Sequence, residues 1–151
     1  MKSEAARLVL IAMVLAFAGA LEELSPKIAG VGFPLLLPFT LIVAARWSFP
    51  MWAVTAIAAG ATEDALASLP PAASATFFLA AAALVHWSAV RHPLYVLAYP
   101  AYLLWLCVWG GNLAGNLFGR ILIGFPVGAL SVAIVARLAG FIAREAGIDE
   151  R

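Results

Sequence analysis

Residues 121–143 read ILIGFPVGALSVAIVARLAGFIA, and Arg137 is the one charge among them. A helix that crosses a membrane needs about 20 consecutive apolar residues. This run is long enough, and Arg137 can extend its stem to the interface. Working outward, five more runs share that character: residues 5–21, 28–45, 47–62, 72–90 and 94–118. The pattern predicts an all-α, polytopic integral membrane helical bundle of six transmembrane helices. Six spans take about 120 residues. The whole chain, 1–151, is then a single transmembrane domain with no room for a separate soluble one.

Composition points the same way. Hydrophobic residues make up 65% of the chain and charged residues 11%, with a mean hydropathy of +1.02. Ordinary globular domains run about 45–50% apolar and about 25% charged. These values exclude a soluble enzyme and a disordered chain. A net charge of +1 leaves no basic footprint for nucleic acid. Membrane lipid is the partner such a surface requires. The single cysteine, Cys107, allows no intramolecular disulfide and no CxxC pattern. No nucleophile elbow, HExxH or phosphate loop occurs. No catalytic residue, metal ligand or cofactor is expected, and the chain reads as a non-enzyme.

The charges orient the six spans. Lys2, Arg7, Arg46, Arg91, Arg137, Arg144 and Arg151 fall on one side, with both termini. Lys27 and Arg120 fall on the other, beside Glu22, Glu23, Glu63 and Asp64. Cytoplasmic loops are enriched in Lys and Arg, so both termini are expected in the cytoplasm. The second run is the least regular, broken by Gly30, Gly32, Pro34 and Pro38. It reads either as a kinked span or as a segment that does not cross. The first run follows Lys2 and Arg7 and ends Ala18-Gly19-Ala20, which also fits a signal peptide. Cleavage there would leave five spans. A retained helix is the better expectation, because the rest of the chain is itself a membrane bundle.

Polar residues inside such a chain are the candidate sites. Glu63 and Asp64 sit in GATEDALASLPP, at the end of the third run. Either both mark the helix end, or one faces inward to bond across helices or to pair with Arg120. Residues 110–120, GGNLAGNLFGR, repeat Gly111, Gly115 and Gly119, and Asn112 and Asn116, every four residues. That spacing puts each set on one helix face, either for close packing or as a polar groove for a ligand or partner helix. Ala12, Ala16 and Ala20 make a similar small-residue stripe on the first helix. His86 and His92 read as interfacial histidines. Trp47, Trp52, Trp87, Trp105 and Trp109 read as interfacial anchors.

The stretch from about Leu35 to Val90 resembles the MreD family of bacterial rod-shape-determining membrane proteins. The family carries a motif of the form G-x-x-x-D-x-L-x-x-x-P between its third and fourth spans. It falls here on Gly60, Asp64, Leu66 and Pro70. The family's small residue after the proline, a Gly, is absent: Pro71 and Ala72 stand there. The resemblance covers about a third of the chain. It implies a non-enzymatic scaffold or adaptor subunit of the cell-wall elongation machinery in the bacterial inner membrane. The partners it implies are MreC-like, RodA-like and penicillin-binding proteins and the MreB filament. Glu63, Asp64, Pro70, Asn112, Gly115, Asn116 and Arg120 are then the candidate structural or partner contacts. The architecture is also similar to the substrate-binding S components of energy-coupling factor transporters. That alternative implies a small-molecule ligand such as a vitamin, with the acids and asparagines lining its cavity.

Overall fold

Proline, glycine and short polar turns punctuate the chain, and the helices stop and start near them. The computed structural model describes residues 2–25, 32–88, 92–110 and 117–145. They form α1 (Lys2–Leu24), α2 (Leu36–Arg46), α3 (Phe49–Leu66), α4 (Ala73–Trp87), α5 (His92–Gly110) and α6 (Leu117–Glu145). No strand occurs among the described residues. The all-helical expectation holds. Among them, one helix, over Phe118–Phe141, is long and apolar enough by length and composition to cross a membrane. Leu36–Arg46, Ala73–Trp87 and Pro93–Trp109 are apolar but shorter.

The second run departs most from its expected bounds of 28–45. Residues 32–35 are non-helical, and the helix begins only at Leu36, two residues after Pro34. At 1.5 Å per residue its 11 residues span about 16 Å. That is about half of a bilayer's hydrocarbon core, so this helix does not cross one by itself. Its place in the fold compensates for its length. It touches each of the other helices. Leu36, Leu37, Leu41 and Ala44 are buried in the core with Trp52, Ala56 and Ala59 of α3 and Phe78, Ala82 and Val85 of α4.

The third helix runs past its expected end at residue 62 and includes Glu63 and Asp64 in its last turn. Trp52 corrects another expectation. It is 1% exposed, a core side chain and not an anchor. It packs 5.5 Å from the His86 ring, and His86 donates from Nδ1 to the Ala44 carbonyl at 2.8 Å. Trp87, 73% exposed, keeps the outward position expected of it.

Two helix contacts rest on missing side chains. On α6, a Cβ at Gly124 would stand 2.7 Å from Leu103 Cδ1, and one at Gly128 2.9 Å from Tyr99 Cβ. These two glycines, four residues apart, seat α6 against α5. On α3, Gly60 does the same for α4, as described below. The stripe of Ala12, Ala16 and Ala20 points outward, while Ile11, Leu15 and Ala18 face the core.

Candidate functional site

Side-chain bonds define one end of the bundle. Glu22 in the last turn of α1 meets the start of α2, and Asp64 in the last turn of α3 meets the start of α4. Trp105, near the end of α5, donates from Nε1 to the Ala73 carbonyl at 2.8 Å. Arg120, in the first turn of α6, lies at the same end, because Gly124 and Gly128 run antiparallel to Leu103 and Tyr99. Arg46 lies at the opposite end, with Ala44 and His86. The segregation of acids from most basic residues in the sequence is therefore also a segregation in space.

The α3–α4 junction is built by Gly60 and Asp64, one turn apart on one face of α3. A Cβ on Gly60 would collide with the backbone of Ala75 and would stand 2.8 Å from the Ser74 carbonyl carbon. Glycine is required there because α4 begins against the α3 backbone. The first N–H groups of a helix have no partner within it. Ala72, the residue before α4, has no side chain to cap them. Asp64 supplies the cap from the neighbouring helix: its Oδ1 accepts the Ser74 N–H at 2.7 Å. Asp64 is 6% exposed, and its Oδ2 is buried with no hydrogen-bond partner. It faces inward, as one of the two sequence readings had it. The alternative pairing with Arg120 is not formed; the Arg120 Nε is itself buried and unpartnered.

Pro70 is exposed in the connection between these helices, and its carbonyl accepts the Ala73 N–H at 3.1 Å. The turn is tight. Ser68 and Ala72 adopt left-handed backbone at φ 53° and φ 70°. Leu66, also part of the motif, is exposed at the end of α3.

Glu22 performs for α2 what Asp64 does for α4. Its Oε2 accepts the N–H groups of Leu35 and Leu36, at 3.1 and 3.2 Å. Pro38, two residues further, has no N–H to satisfy. Glu63 lies within electrostatic reach of the Glu22 carboxyl. Burial, reinforced by the Glu63 charge, pushes the Glu22 carboxyl up to about 8. Tyr99 and Tyr102 of α5 lie within electrostatic reach of both glutamates. Tyr102 shares a 2.6 Å hydrogen bond with Ser74, and Tyr99 donates to the Gly32 carbonyl at 2.8 Å.

Four helices thus bring Glu22, Glu63, Asp64, Ser74, Tyr99 and Tyr102 to one polar locus in an otherwise apolar bundle. Glu63 and Asp64 were expected at a site. Glu22 was read only as the end of the first run, and Ser74, Tyr99 and Tyr102 were not singled out. One signal was available: Tyr95, Tyr99 and Tyr102 repeat at helical spacing within an apolar segment. Asn112, Gly115 and Asn116 lie outside the described residues. Among the described residues no group of three His, Cys, Asp or Glu could hold a metal ion. What the locus can do chemically is fasten helix ends and take up or release a proton. Comparison with protein-family models, with curated proteins and with solved structures finds no match.

Proposed function

We propose that this chain is a multi-pass protein of the bacterial inner membrane, with both termini in the cytoplasm. In this reading it is a non-enzymatic, MreD-like scaffold or adaptor subunit of the cell-wall elongation machinery. The observation that carries the proposal is the joint action of Gly60 and Asp64. Two residues of the motif together seat and cap α4 on α3. A motif with that role specifies a helix-packing geometry, which is what a scaffold presents to its partners.

Membrane residence is supported by the outer surface. Large apolar side chains are exposed on every helix except α2, among them Met13, Phe17, Ile57, Leu84, Val108, Phe118, Leu122 and Leu138. In water such a surface would aggregate; in lipid it is the ordinary exterior of a bundle. Under this reading the outward small-residue face of α1 and the faces of α6 are where helices of MreC-like, RodA-like or penicillin-binding partners would pack. Affinity purification of a C-terminally tagged chain in mild detergent, with mass spectrometry of proteins and extracted small molecules, tests it. Recovery of elongation components supports the scaffold. Their absence together with a bound small molecule sinks it.

One observation favours a second reading, an S component of an energy-coupling factor vitamin transporter. The convergence of Glu22, Asp64, Tyr99 and Tyr102 puts hydrogen-bonding groups at the end of the bundle where such a subunit takes its ligand. In the same experiment, recovery of a transporter ATPase module or of a vitamin selects this reading.

A further inference from the structure

We infer, on the membrane reading above, that the apolar groove between α4 and α5 seats an acyl chain of an anionic phospholipid, with the lipid phosphate at the end of the bundle that carries Arg46.

Small side chains make the groove. Phe77, Ala81 and Leu84 follow one another at helical spacing on α4, as Leu94, Ala98 and Ala101 do on α5, so each set lies on one helix face. The alanines leave a space of about 170 Å³ between the two helices, backed by buried Leu41 of α2. Leu84 and Leu97 stand exposed along it, so the groove opens to the exterior. At 1.5 Å per residue, its wall from Phe77 to Val85 is about 12 Å long.

Every lining residue is Ala, Leu, Val or Phe, so no side chain in the groove can pair with a polar ligand. An apolar cavity of about 150 Å³ stays dry and takes an apolar guest such as benzene. This groove matches that size and is continuous with the exposed apolar exterior, which in a bilayer touches acyl chains. Charge then places the headgroup. His86 shares a hydrogen bond with the Ala44 carbonyl, so the end of α4 stands beside the end of α2, and exposed Arg46 follows two residues on. Arg137, also exposed, lies toward the same end, because α6 runs antiparallel to α5 with Gly124 against Leu103 and Gly128 against Tyr99. Trp87 is exposed just past Leu84 and Val85, where an interfacial ring would sit. Glu22 and Asp64 cap helices at the opposite end. A lipid entering from the Arg46 end brings its phosphate to positive side chains. The reverse orientation would set that phosphate among carboxylates.

The test uses the full chain in mild detergent, supplied with phosphatidylglycerol or with zwitterionic phosphatidylcholine of the same acyl chains. Native mass spectrometry counts the lipid retained, and thermal melting reads the stabilisation that a bound ligand confers. Retained phosphatidylglycerol and a higher melting temperature are expected, both beyond what phosphatidylcholine gives. Ala81→Leu and Ala101→Leu fill the groove and should weaken retention about tenfold, the equivalent of withdrawing about two methylenes from contact. Ala12→Leu adds the same bulk to the exterior of α1 and should leave retention unchanged. Arg46→Gln should bring phosphatidylglycerol down to the level of phosphatidylcholine. No retained lipid overturns the site, and so does retention that is indifferent to groove filling or to headgroup charge. Should the leucine variants fail to fold, the wild-type preference and its loss in Arg46→Gln decide. Alkaline extraction of cell membranes reads membrane residence by itself. A chain released into the soluble fraction overturns the membrane reading and the site with it; a chain that stays in the membrane but fails the lipid tests overturns the site alone.

Discussion

Gly60 on α3 and Ala75 on α4 meet backbone to backbone, with no space for a Cβ between them. Four residues on, Asp64 reaches across the same interface to the Ser74 N–H. The two contacts depend on each other. The close approach brings the head of α4 within reach of a short side chain, and the cap satisfies a donor that the approach buries.

Gly60→Ala is therefore expected to force α4 away from α3. Overpacking of this sort costs about 1–3 kcal/mol, and backbone atoms cannot swing aside as a side chain can. Gly140→Ala is the control, since a Cβ there meets nothing within 4 Å. Replacing a helical Gly in open space by Ala stabilises by up to about 1 kcal/mol. Melting temperatures in detergent should move in opposite directions. A Gly60→Ala protein as stable as wild type would show that the helices do not touch there.

Asp64→Ala should cost about 1–2 kcal/mol, the usual loss for a helix cap compounded by a buried N–H left without a partner. Asp64→Asn keeps a carbonyl oxygen for the Ser74 N–H and should fall between wild type and Asp64→Ala. Urea or thermal unfolding of the three proteins reads the order. If Asp64→Ala is as stable as wild type, the cap contributes nothing.

The Ser74–Tyr102 bond ties α4 to α5. Ser74→Ala and Tyr102→Phe each leave a buried hydroxyl unpaired, at about 1–3 kcal/mol. The double variant removes both and should be less destabilised than the sum of the singles by about 1 kcal/mol. Strict additivity in the double-mutant cycle would show that the two hydroxyls do not interact.

Ala72, the residue before α4, stands at φ 70° and ψ 5°. Left-handed backbone costs an L-residue about 1–2 kcal/mol, and Gly gives back about 0.4–1 kcal/mol through the freedom of the unfolded chain. Ala72→Gly should therefore raise stability by up to about 1 kcal/mol, seen as a higher melting temperature. A fall in melting temperature would mean that Ala72 does not hold that conformation.

Much of the architecture was legible in order of residues alone. Helical apolar runs, their number and the segregation of Glu22, Glu63 and Asp64 from Arg46 depend on composition and spacing, which act locally along the chain. Helix bounds were legible only in part. Pro34 and Gly32 shorten α2, and how far a helix extends past a proline depends on what satisfies its first N–H groups. Here that partner is Glu22, thirteen residues earlier, and the sequence does not announce it. The inward face of Asp64, the burial of Trp52 and the outward turn of Ala12, Ala16 and Ala20 were likewise settled by packing. An alanine stripe reads alike whether it meets a helix or faces out, and a tryptophan near a run's end reads alike as anchor or core. Sequence by itself determined that the chain is a set of apolar helices with its acids gathered at one end. Only the tertiary structure decided that α2 is the short central helix, that Gly60 and Asp64 seat α4, and that Glu22 caps the head of α2. Those contacts join residues distant in sequence, and their energies come from burial and unsatisfied backbone donors that exist only once the helices are together.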